Sequence, residues 1–258
     1  MTDSRYFEQG TPEWYEARLH RFTSSEVHKL IPGARARPGE LTKTAVAYVF
    51  DKIADRITAG GCLEYRELNT REIEWGREHE DTARLAYSTI MSVDVQTCGF
   101  FVCEDLPSFG GSPDGLVGED GFIEIKCPYN SSVHARYLAM ATPDDLRREK
   151  PEYYAQIQGN YLATGRRWCD FVSHDPRCAN PLLAVKILRI PRDEEYIDRI
   201  REAVLAAVKY KQEITSRMAL LARQQRASIP KQYPKHDDKK DISPMVGKGI
   251  GNIERTLS

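Results

Sequence analysis

The spacing of apolar positions changes several times along this chain, and each spacing predicts a type of element. Residues 41–58 (LTKTAVAYVFDKIADRIT) and residues 70–91 repeat apolar or small side chains every three or four positions, as one face of a helix does. Residues 11–33 predict two shorter helices. In that segment Thr23 and Glu26 fit a capping box, which would start the second helix at about Ser24.

Shorter runs in the middle of the chain predict β-strands. They cover residues 98–105 (CGFFVCED), 115–117 (GLV) and 121–127 (GFIEIKC). Because side chains alternate between the faces of a strand, Phe122, Glu124 and Lys126 should share one face of the last run, and Ile123 and Ile125 the other. Glu124 and Lys126, an acid and a base, are therefore neighbours on a strand whose other residues are mostly apolar and should be buried.

The second half of the chain alternates between helical patterns, with apolar residues every three or four positions, and strand patterns. Helical patterns cover residues 131–141, 151–165 and 193–225, and strand patterns cover residues 168–175 and 182–190. The order is helices, a group of strands, a pair of helices, two strands and a final helix. It predicts an α/β fold in which a central mixed β-sheet is flanked by helices, without an internal repeat.

Composition and charge exclude some classes of protein. The 258 residues are 41% hydrophobic and 29% charged, and no apolar run approaches the ~18 residues that span a bilayer. The N-terminus, MTDSRYFEQG, shows neither a basic start nor an apolar stretch, so we expect a cytoplasmic protein without a membrane segment. A net charge of −1 argues against indiscriminate coating of nucleic acid but leaves a local groove open.

The cysteines and the C-terminus add two expectations. None of the six cysteines forms a CxxC pair or a Cys/His cluster at zinc spacing, which indicates reduced, structural thiols. Residues 222–258 hold eight Lys or Arg against four Asp or Glu. We therefore divide the chain into a main domain, residues 1–225, and a basic tail, residues 226–258, which is expected to be flexible.

Candidate chemistry lies in GGSPDGLVGEDGFIEIKCPY, residues 110–129. The turn at Asp114 precedes the strand that carries Glu124 and Lys126, so the returning strand could bring the two carboxylates together. Two carboxylates that share a site repel each other unless a cation joins them, and oxygen ligands favour Mg²⁺ or Mn²⁺. In phosphodiester hydrolysis such a metal activates a water and neutralises charge, and the lysine would position the nucleophile or stabilise developing charge.

The combination of Pro113-Asp114 with Glu124 and Lys126 is weak evidence by itself, because such a pattern should arise by chance in roughly one chain in ten of this length. The alternative is a surface hairpin with a cross-strand ion pair. Glu80 interrupts the apolar stripe of residues 70–91 and should need a cation or a hydrogen-bond partner there, although an arginine could be that partner. Gln156 lies on a helix face with Gly159, Asn160 and Ala163, or is a plain surface amide.

Five strings taken together are far more specific than the acids alone. They are WYEARLHRFTSSEV, WGREHED, SPDGL, EIKCP and YYAQIQ. In this order and at these distances, over roughly residues 8–215, they resemble the bacteriophage lambda exonuclease (YqaJ-like viral recombinase) family of the PD-(D/E)xK nucleases. The resemblance implies a restriction-endonuclease-like core. It also implies degradation of the 5′-ended strand of linear duplex DNA, which leaves 3′ overhangs for recombination by strand annealing.

The resemblance also implies roles for the residues that match the family's motifs. Asp114, Glu124 and the carbonyl of Ile125 would bind the catalytic metals, two Mg²⁺ ions with Mn²⁺ as the alternative, and Glu80 would hold the second metal or its water. Lys126 matches the catalytic lysine. Gln156 matches a glutamine that orients groups around the attacking water.

The remaining implications concern the DNA end and the assembly. Arg18 and Ser25 match the residues that recognise the 5′ phosphate, although a well-capped helix is the plainer interpretation of that region. The family forms a homotrimeric ring around DNA, works with a single-strand annealing protein and is encoded by phages or prophages in bacterial hosts. The tail matches none of its motifs.

Two competing interpretations remain. The chain could be another PD-(D/E)xK nuclease, an endonuclease above all, whereas an iron–sulfur relative would need a cysteine pattern that is missing here. It could also be a non-catalytic module that binds DNA ends. Because Glu80, Asp114, Glu124 and Lys126 are all present, we favour an enzyme.

Overall fold

The computed structural model describes residues 3–32, 40–58 and 70–228. The α-helices in these ranges are α1 (Pro12–Arg18), α2 (Lys43–Ile57), α3 (Arg71–Met91), α4 (Ser131–Ala139), α5 (Pro143–Glu149), α6 (Pro151–Thr164) and α7 (Glu194–Ser228). The strands are β1 (Phe22–Thr23), β2 (Val95–Gln96), β3 (Phe101–Val102), β4 (Phe109–Gly111), β5 (Gly115–Val117), β6 (Gly121–Lys126), β7 (Trp168–His174) and β8 (Val185–Pro191). Short 3-10 helices cover Ser4–Tyr6, Ser24–Lys29 and Pro181–Leu183.

The main sheet has five strands in the order β2-β5-β6-β7-β8. Strands β6 and β7 are parallel, and the other neighbours in this sheet are antiparallel. A second sheet has the order β1-β4-β3, with β1 parallel to β4. The prediction of a central mixed sheet flanked by helices is confirmed. The second sheet was not predicted, since its strands are only two or three residues long.

Each face of β6 packs against a different helix, as the alternation of its side chains predicted. Phe122 belongs to the larger core cluster, and its ring lies 4.9 Å from that of Tyr161 on α6, edge to face. Ile123 and Ile125 point the other way, into a smaller cluster with Ala83 and Tyr87 of α3. The sheet is thus the middle layer between α3 and α6, and the polar residues Glu124 and Lys126 share the face of β6 that packs against α6.

Three local predictions need correction. Residues 98–105 form only the two-residue strand β3, because the backbone N–H groups of Gly99 and Phe100 donate to carbonyls of the N-terminal segment and not to another strand. Helix α5 was not predicted, since no helical pattern was recognised between residues 141 and 151. Proline is well tolerated at the first position of a helix, and Asp145 accepts a hydrogen bond from the N–H of Thr142 at this end.

The third correction concerns the capping box at Thr23. The segment from Ser24 to Lys29 is a 3-10 helix, and the side chain of Thr23 makes no capping hydrogen bond. Glu26 forms an ion pair with Lys29 at 2.5 Å and does not reach back to the start of the helix. The plainer interpretation of this region, a well-capped helix, is therefore wrong.

The long last helix crosses the expected domain boundary. Helix α7 continues through residue 225 to Ser228, and residues 229–258 of the predicted tail lie outside the described ranges. None of the described helices is both long enough and apolar enough to span a membrane. Of the cysteines in the described ranges, Cys98, Cys103, Cys127 and Cys169 are buried and all are free thiols, whereas Cys62 falls outside those ranges.

Candidate active site

The turn into β5 places Asp114 beside β6. The backbone N–H of Asp114 donates to the carbonyl of Ile123 at 3.1 Å, and its carboxylate Oδ2 accepts from the N–H of Ile125 at 2.6 Å. The sequence led us to expect that the returning strand would bring the two acids together. The charge of Asp114 does act on Glu124. Glu119 and Asp120 lie in the turn between β5 and β6, away from this group.

Glu124 and Lys126 form the centre of the site. Their side chains meet as an ion pair, with Lys126 Nζ 2.5 Å from Glu124 Oε1. The Glu124 side chain is fully buried, whereas 22% of the Lys126 side chain remains accessible. The Lys126 ammonium also lies 4.9 Å from the ring centre of Tyr153 on α6. An ordinary surface hairpin does not bury its ion pair in this way.

The pKa values of these groups reflect burial and crowding. Burial, reinforced by the negative charge of Asp114, raises the pKa of Glu124 to about 8. Burial also raises the pKa of Asp114, although Lys126 opposes the shift. Burial by itself lowers the pKa of Lys126, but Glu124 and Asp114 outweigh it and raise that pKa above its ordinary range. Lys126 is therefore a fixed cation at neutral pH.

Glu80 lies on α3 and faces the same group of charges. Its side chain is 34% exposed, so Glu80 is partly buried, on the helix face that it shares with the buried Ala83 and Tyr87. Its Oε1 pairs with Arg84 at 2.6 Å, and Arg84 also donates to the backbone carbonyl of Asp114 at 3.0 Å. Burial and the charge of Asp114 raise the pKa of Glu80 to about 7. An arginine thus joins two of the proposed metal ligands.

Helix α6 contributes a residue that the sequence analysis noted but did not assign. Asn160 is fully buried, and its Nδ2 donates to Glu124 Oε2 at 3.1 Å. Gln156, the residue expected to act here, lies one turn earlier and is partly buried, and its side chain makes no hydrogen bond to any described residue. The sequence did place Asn160 on the same helix face as Gln156. Spacing along the helix alone could not show which of the two amides contacts Glu124.

Arg18 and Ser25 are brought together near the end of α1. Arg18 Nη2 lies 3.4 Å from Ser25 Oγ, and the guanidinium stacks 4.1 Å from the ring centre of Trp14. Burial lowers the pKa of Arg18. None of the ion pairs among the described residues involves Arg18, so this desolvated cation is suited to an anion. Ser25 also lies 3.2 Å from the hydroxyl of Thr23.

Two cavities meet at the acids. One of about 1040 Å³ lies between α3 and α4, and its lining includes Lys126, Tyr153 and Arg177. The other, of about 700 Å³, lies toward the N-terminal segment and includes Arg77 and Trp14. Glu80 and Asp114 line both. A long polar ligand could therefore pass the acids from one side to the other.

The donor set fits a hard divalent cation in its chemistry, although no preformed cage is present. Within residues 3–32, 40–58 and 70–228, no group of three or more His, Cys, Asp or Glu side chains is arranged to hold a metal ion. Glu80 is turned toward Arg84 and Glu124 toward Lys126. Burial raises the pKa values of Asp114, Glu124 and Glu80, and the charge of Asp114 adds to the rise for Glu124 and Glu80, so a bound cation would favour the ionised form of all three carboxyl groups.

Solved structures with the same fold include three exonuclease crystal structures. The alkaline exonuclease LHK-Exo of Laribacter hongkongensis is 30% identical, with a TM-score of 0.69 over 84% of this chain and 99% of that chain. Its complex with dAMP is 31% identical, with the same TM-score and coverage. A phage-related exonuclease of Haemophilus somnus 129PT, 20% identical with a TM-score of 0.59 over 77% and 96% of the two chains, supports the fold alone.

A family model agrees with these structures. The comparison with curated proteins gave no match. The model described as the YqaJ-like viral recombinase domain matches residues 13–167, a range that includes Arg18, Ser25, Glu80, Asp114, Glu124, Lys126 and Gln156. The resemblance stated from the five strings is thereby confirmed, and the chain belongs to the family of YqaJ-like viral recombinase domains.

Proposed function

We propose that this protein is a Mg²⁺-dependent exonuclease that degrades the 5′-ended strand of linear double-stranded DNA in the 5′ to 3′ direction. The 3′ overhangs that remain would serve recombination by strand annealing. Family membership and the likeness to LHK-Exo, an alkaline exonuclease, support a DNA exonuclease. The observation that carries the proposal is the buried pair of Glu124 and Lys126 beside Asp114, at the junction of two cavities.

The acids would hold the metal. Asp114, Glu124 and the backbone carbonyl of Ile125 are the proposed ligands of one ion, and Glu80 of a second ion or its water. When bound, such an ion lowers the pKa of a water and neutralises charge on the attacked phosphate. Glu80 can bind a second ion or its water only if its carboxylate turns away from Arg84. The third of its surface that is exposed leaves room for this movement.

Lys126 acts in this proposal as a cation and not as a base. Its raised pKa keeps it protonated at neutral pH, and its ammonium is held between Glu124 and the ring of Tyr153. From there it would orient the attacking water or stabilise negative charge that develops on the phosphate. Gln156, half-buried on α6, is proposed to orient groups around that water.

Arg18 and Ser25 are proposed to bind the 5′ phosphate. A desolvated guanidinium with a hydroxyl beside it is a strong phosphate donor set. LHK-Exo has been crystallised with dAMP, a nucleoside monophosphate, which agrees with a nucleotide-sized site in this fold. We further propose a homotrimeric ring and a single-strand annealing partner. Sedimentation velocity tests the ring, and a monomeric mass in the presence of DNA would contradict it.

The deciding experiment compares linear duplexes with a 5′ phosphate or a 5′ hydroxyl, each with Mg²⁺, with Mn²⁺ or with EDTA. We expect nucleotides to be released from the phosphorylated 5′ strand in the presence of metal only. Labels at the 5′ and 3′ ends of the same strand report the direction. Release that starts from the 3′ end would contradict the proposed direction.

Covalently closed circular DNA is the matched control. We expect it to remain intact under the conditions that consume linear DNA. Equal cleavage of circles would favour an endonuclease. Binding of linear ends without cleavage under any metal would favour the non-catalytic end-binding module.

A further inference from the structure

A chain of hydrogen bonds reaches Glu124 from the 3-10 helix Ser24–Lys29. Ser24 Oγ donates to Asn160 Oδ1 at 2.6 Å, and Asn160 Nδ2 donates to Glu124 Oε2 at 3.1 Å. Ser24 is 2% exposed, and Asn160 and Glu124 are fully buried. Since the carbonyl oxygen of the amide accepts from Ser24, its NH₂ group is left to face the acid.

Close packing holds this chain in one arrangement. A Cβ atom on Gly111 of β4 would overlap both Asn160 Oδ1 and Ser24 Oγ. A Cβ atom on Gly159 would lie 2.9 Å from Ser24 Cβ. Two glycines therefore make the space in which the serine and the asparagine meet.

The Glu124 carboxylate is consequently held at both oxygens. Lys126 donates to Oε1 and Asn160 donates to Oε2, from different elements. Two donors fix the plane of a carboxylate, and the lone pairs that they leave free are available to a ligand. A carboxylate held by one donor alone could still rotate about its last bond.

We propose that Asn160, itself held by Ser24, is a positioning residue that fixes the plane of the Glu124 carboxylate for a divalent cation. This inference rests on the proposed function, because it takes Glu124 to be a metal ligand. Groups that hold a metal ligand in place commonly change metal affinity or activity by ~10–100-fold when they are removed. Asn160 makes no hydrogen bond to Arg18 or Ser25 of the proposed 5′-phosphate site, so its main effect should be on the metal and the rate.

The test uses Asn160→Ala and Ser24→Ala, with Gln158→Ala as the matched control. Gln158 is on the same helix and is equally buried, but it bonds to the carbonyl of Pro191 and the N–H of Asp193 and not to the acids. Mn²⁺ affinity is measured by calorimetry without DNA, and kcat and KM are measured on a 5′-phosphorylated duplex. Circular dichroism checks that each variant is folded.

We expect Asn160→Ala to weaken Mn²⁺ binding and to lower kcat at fixed metal by ~10–100-fold, with KM for DNA within about 2-fold of the original value. Ser24→Ala should weaken Mn²⁺ binding by ~3–10-fold, the effect of one lost hydrogen bond. Gln158→Ala should leave Mn²⁺ affinity within about 2-fold even if it lowers the melting temperature.

A folded Asn160→Ala variant that binds Mn²⁺ as the unaltered chain does would overturn the inference while leaving the proposed function intact. If Asn160→Ala does not fold, Ser24→Ala decides, and unchanged Mn²⁺ affinity in that variant overturns the inference. If the unaltered chain neither binds Mn²⁺ nor cleaves DNA, the proposed function is contradicted, and so is this inference, which depends on it.

Discussion

At the residue scale, the unusual feature is a carboxylate with no solvent access whose charge depends on one lysine. Glu124 is fully buried, and burial together with Asp114 raises its pKa to about 8. Without Lys126 the acid would favour its protonated form even more strongly. The lysine therefore opposes the rise in the pKa of this proposed metal ligand, in addition to any part that it plays in the reaction.

Lys126→Met tests this dependence. We expect nuclease activity to fall by at least ~10³-fold, because the variant loses a transition-state cation and the positive charge that lowers the pKa of Glu124. The chain should still fold, since a protonated acid can stay buried. Turnover on linear duplex DNA and the melting temperature are the measurements.

Lys150→Met is the control for that variant. Lys150 lies 5.5 Å from the ring centre of the same Tyr153, but it pairs with Glu152. It should keep kcat within about 3-fold, since it forms no ion pair with the acids. Retained turnover in Lys126→Met would exclude a catalytic role for this lysine.

Arg18→Ala should remove the preference for a 5′ phosphate. A charge-assisted hydrogen bond from a desolvated guanidinium favours phosphate over hydroxyl by ~10–100-fold. The ratio of cleavage rates on phosphorylated and unphosphorylated ends should therefore fall toward one. Arg21→Ala is the control, because Arg21 donates to the backbone carbonyls of Ala17 and Pro107. An unchanged ratio in Arg18→Ala would refute the proposed phosphate contact.

At the element scale, β6 is the part of the fold that positions the site. Its alternation sends apolar side chains to α3 on one face, and sends Glu124 toward α6 on the other. Its first residue, Gly121, pairs in register with Trp168 of β7. A Cβ atom on Gly121 would overlap the indole ring of Trp168, over which Arg189 stacks at 4.1 Å.

Gly121→Ala should therefore lower the free energy of unfolding by ~1–3 kcal/mol, the usual cost of an overpacked contact. Gly76→Ala on α3 is the contrasting variant, because a Cβ atom there would meet no atom within 4 Å. It should raise the free energy of unfolding by ~0.5–1 kcal/mol, since alanine favours a helix more than glycine does. Urea denaturation measures both, and a stable Gly121→Ala would show that Trp168 moves freely.

At the scale of the whole molecule, α7 returns to the first part of the chain and brings like charges together. Lys211 on α7 donates to the carbonyl of His20 at 2.9 Å, across 191 positions of sequence. Burial, with Arg56, Lys52 and Arg21 nearby, lowers the pKa of Lys211 to about 8. The folded chain thus holds the Lys211 proton less tightly than the unfolded chain does, and charged Lys211 destabilises the fold.

Lys211→Met should stabilise the protein at pH 7 by roughly 1–2 kcal/mol, allowing for partial exposure of the side chain. Between pH 8 and about 10.5 the unfolded chain keeps a proton on Lys211 that the folded chain has lost, so the stability of the original chain rises with pH. The advantage of the variant should therefore vanish near pH 10.5.

Denaturation at several pH values measures this difference, and Lys209→Met, an exposed lysine on the same helix, is the control. A less stable Lys211→Met at pH 7 would show that the hydrogen bond to His20 outweighs the charge repulsion.

The sequence by itself determined the periodic elements and the faces of β6. Helix α3 and the end of α6 at Gly165 follow the prediction closely, because local backbone geometry and capping decide them. The neighbouring positions of Glu124 and Lys126 follow from alternation along one strand. The family could also be read from five short strings.

Only the tertiary structure decided which partners these residues meet. Ser24 and Asn160 lie 136 positions apart, and their contact depends on how the 3-10 helix, β4 and α6 pack. The same holds for Arg84, which joins Glu80 to Asp114 across α3 and β5. Spacing along one element sets the face of a side chain, but packing between elements sets its partner. For that reason the acids were predicted, and the asparagine that holds one of them was not.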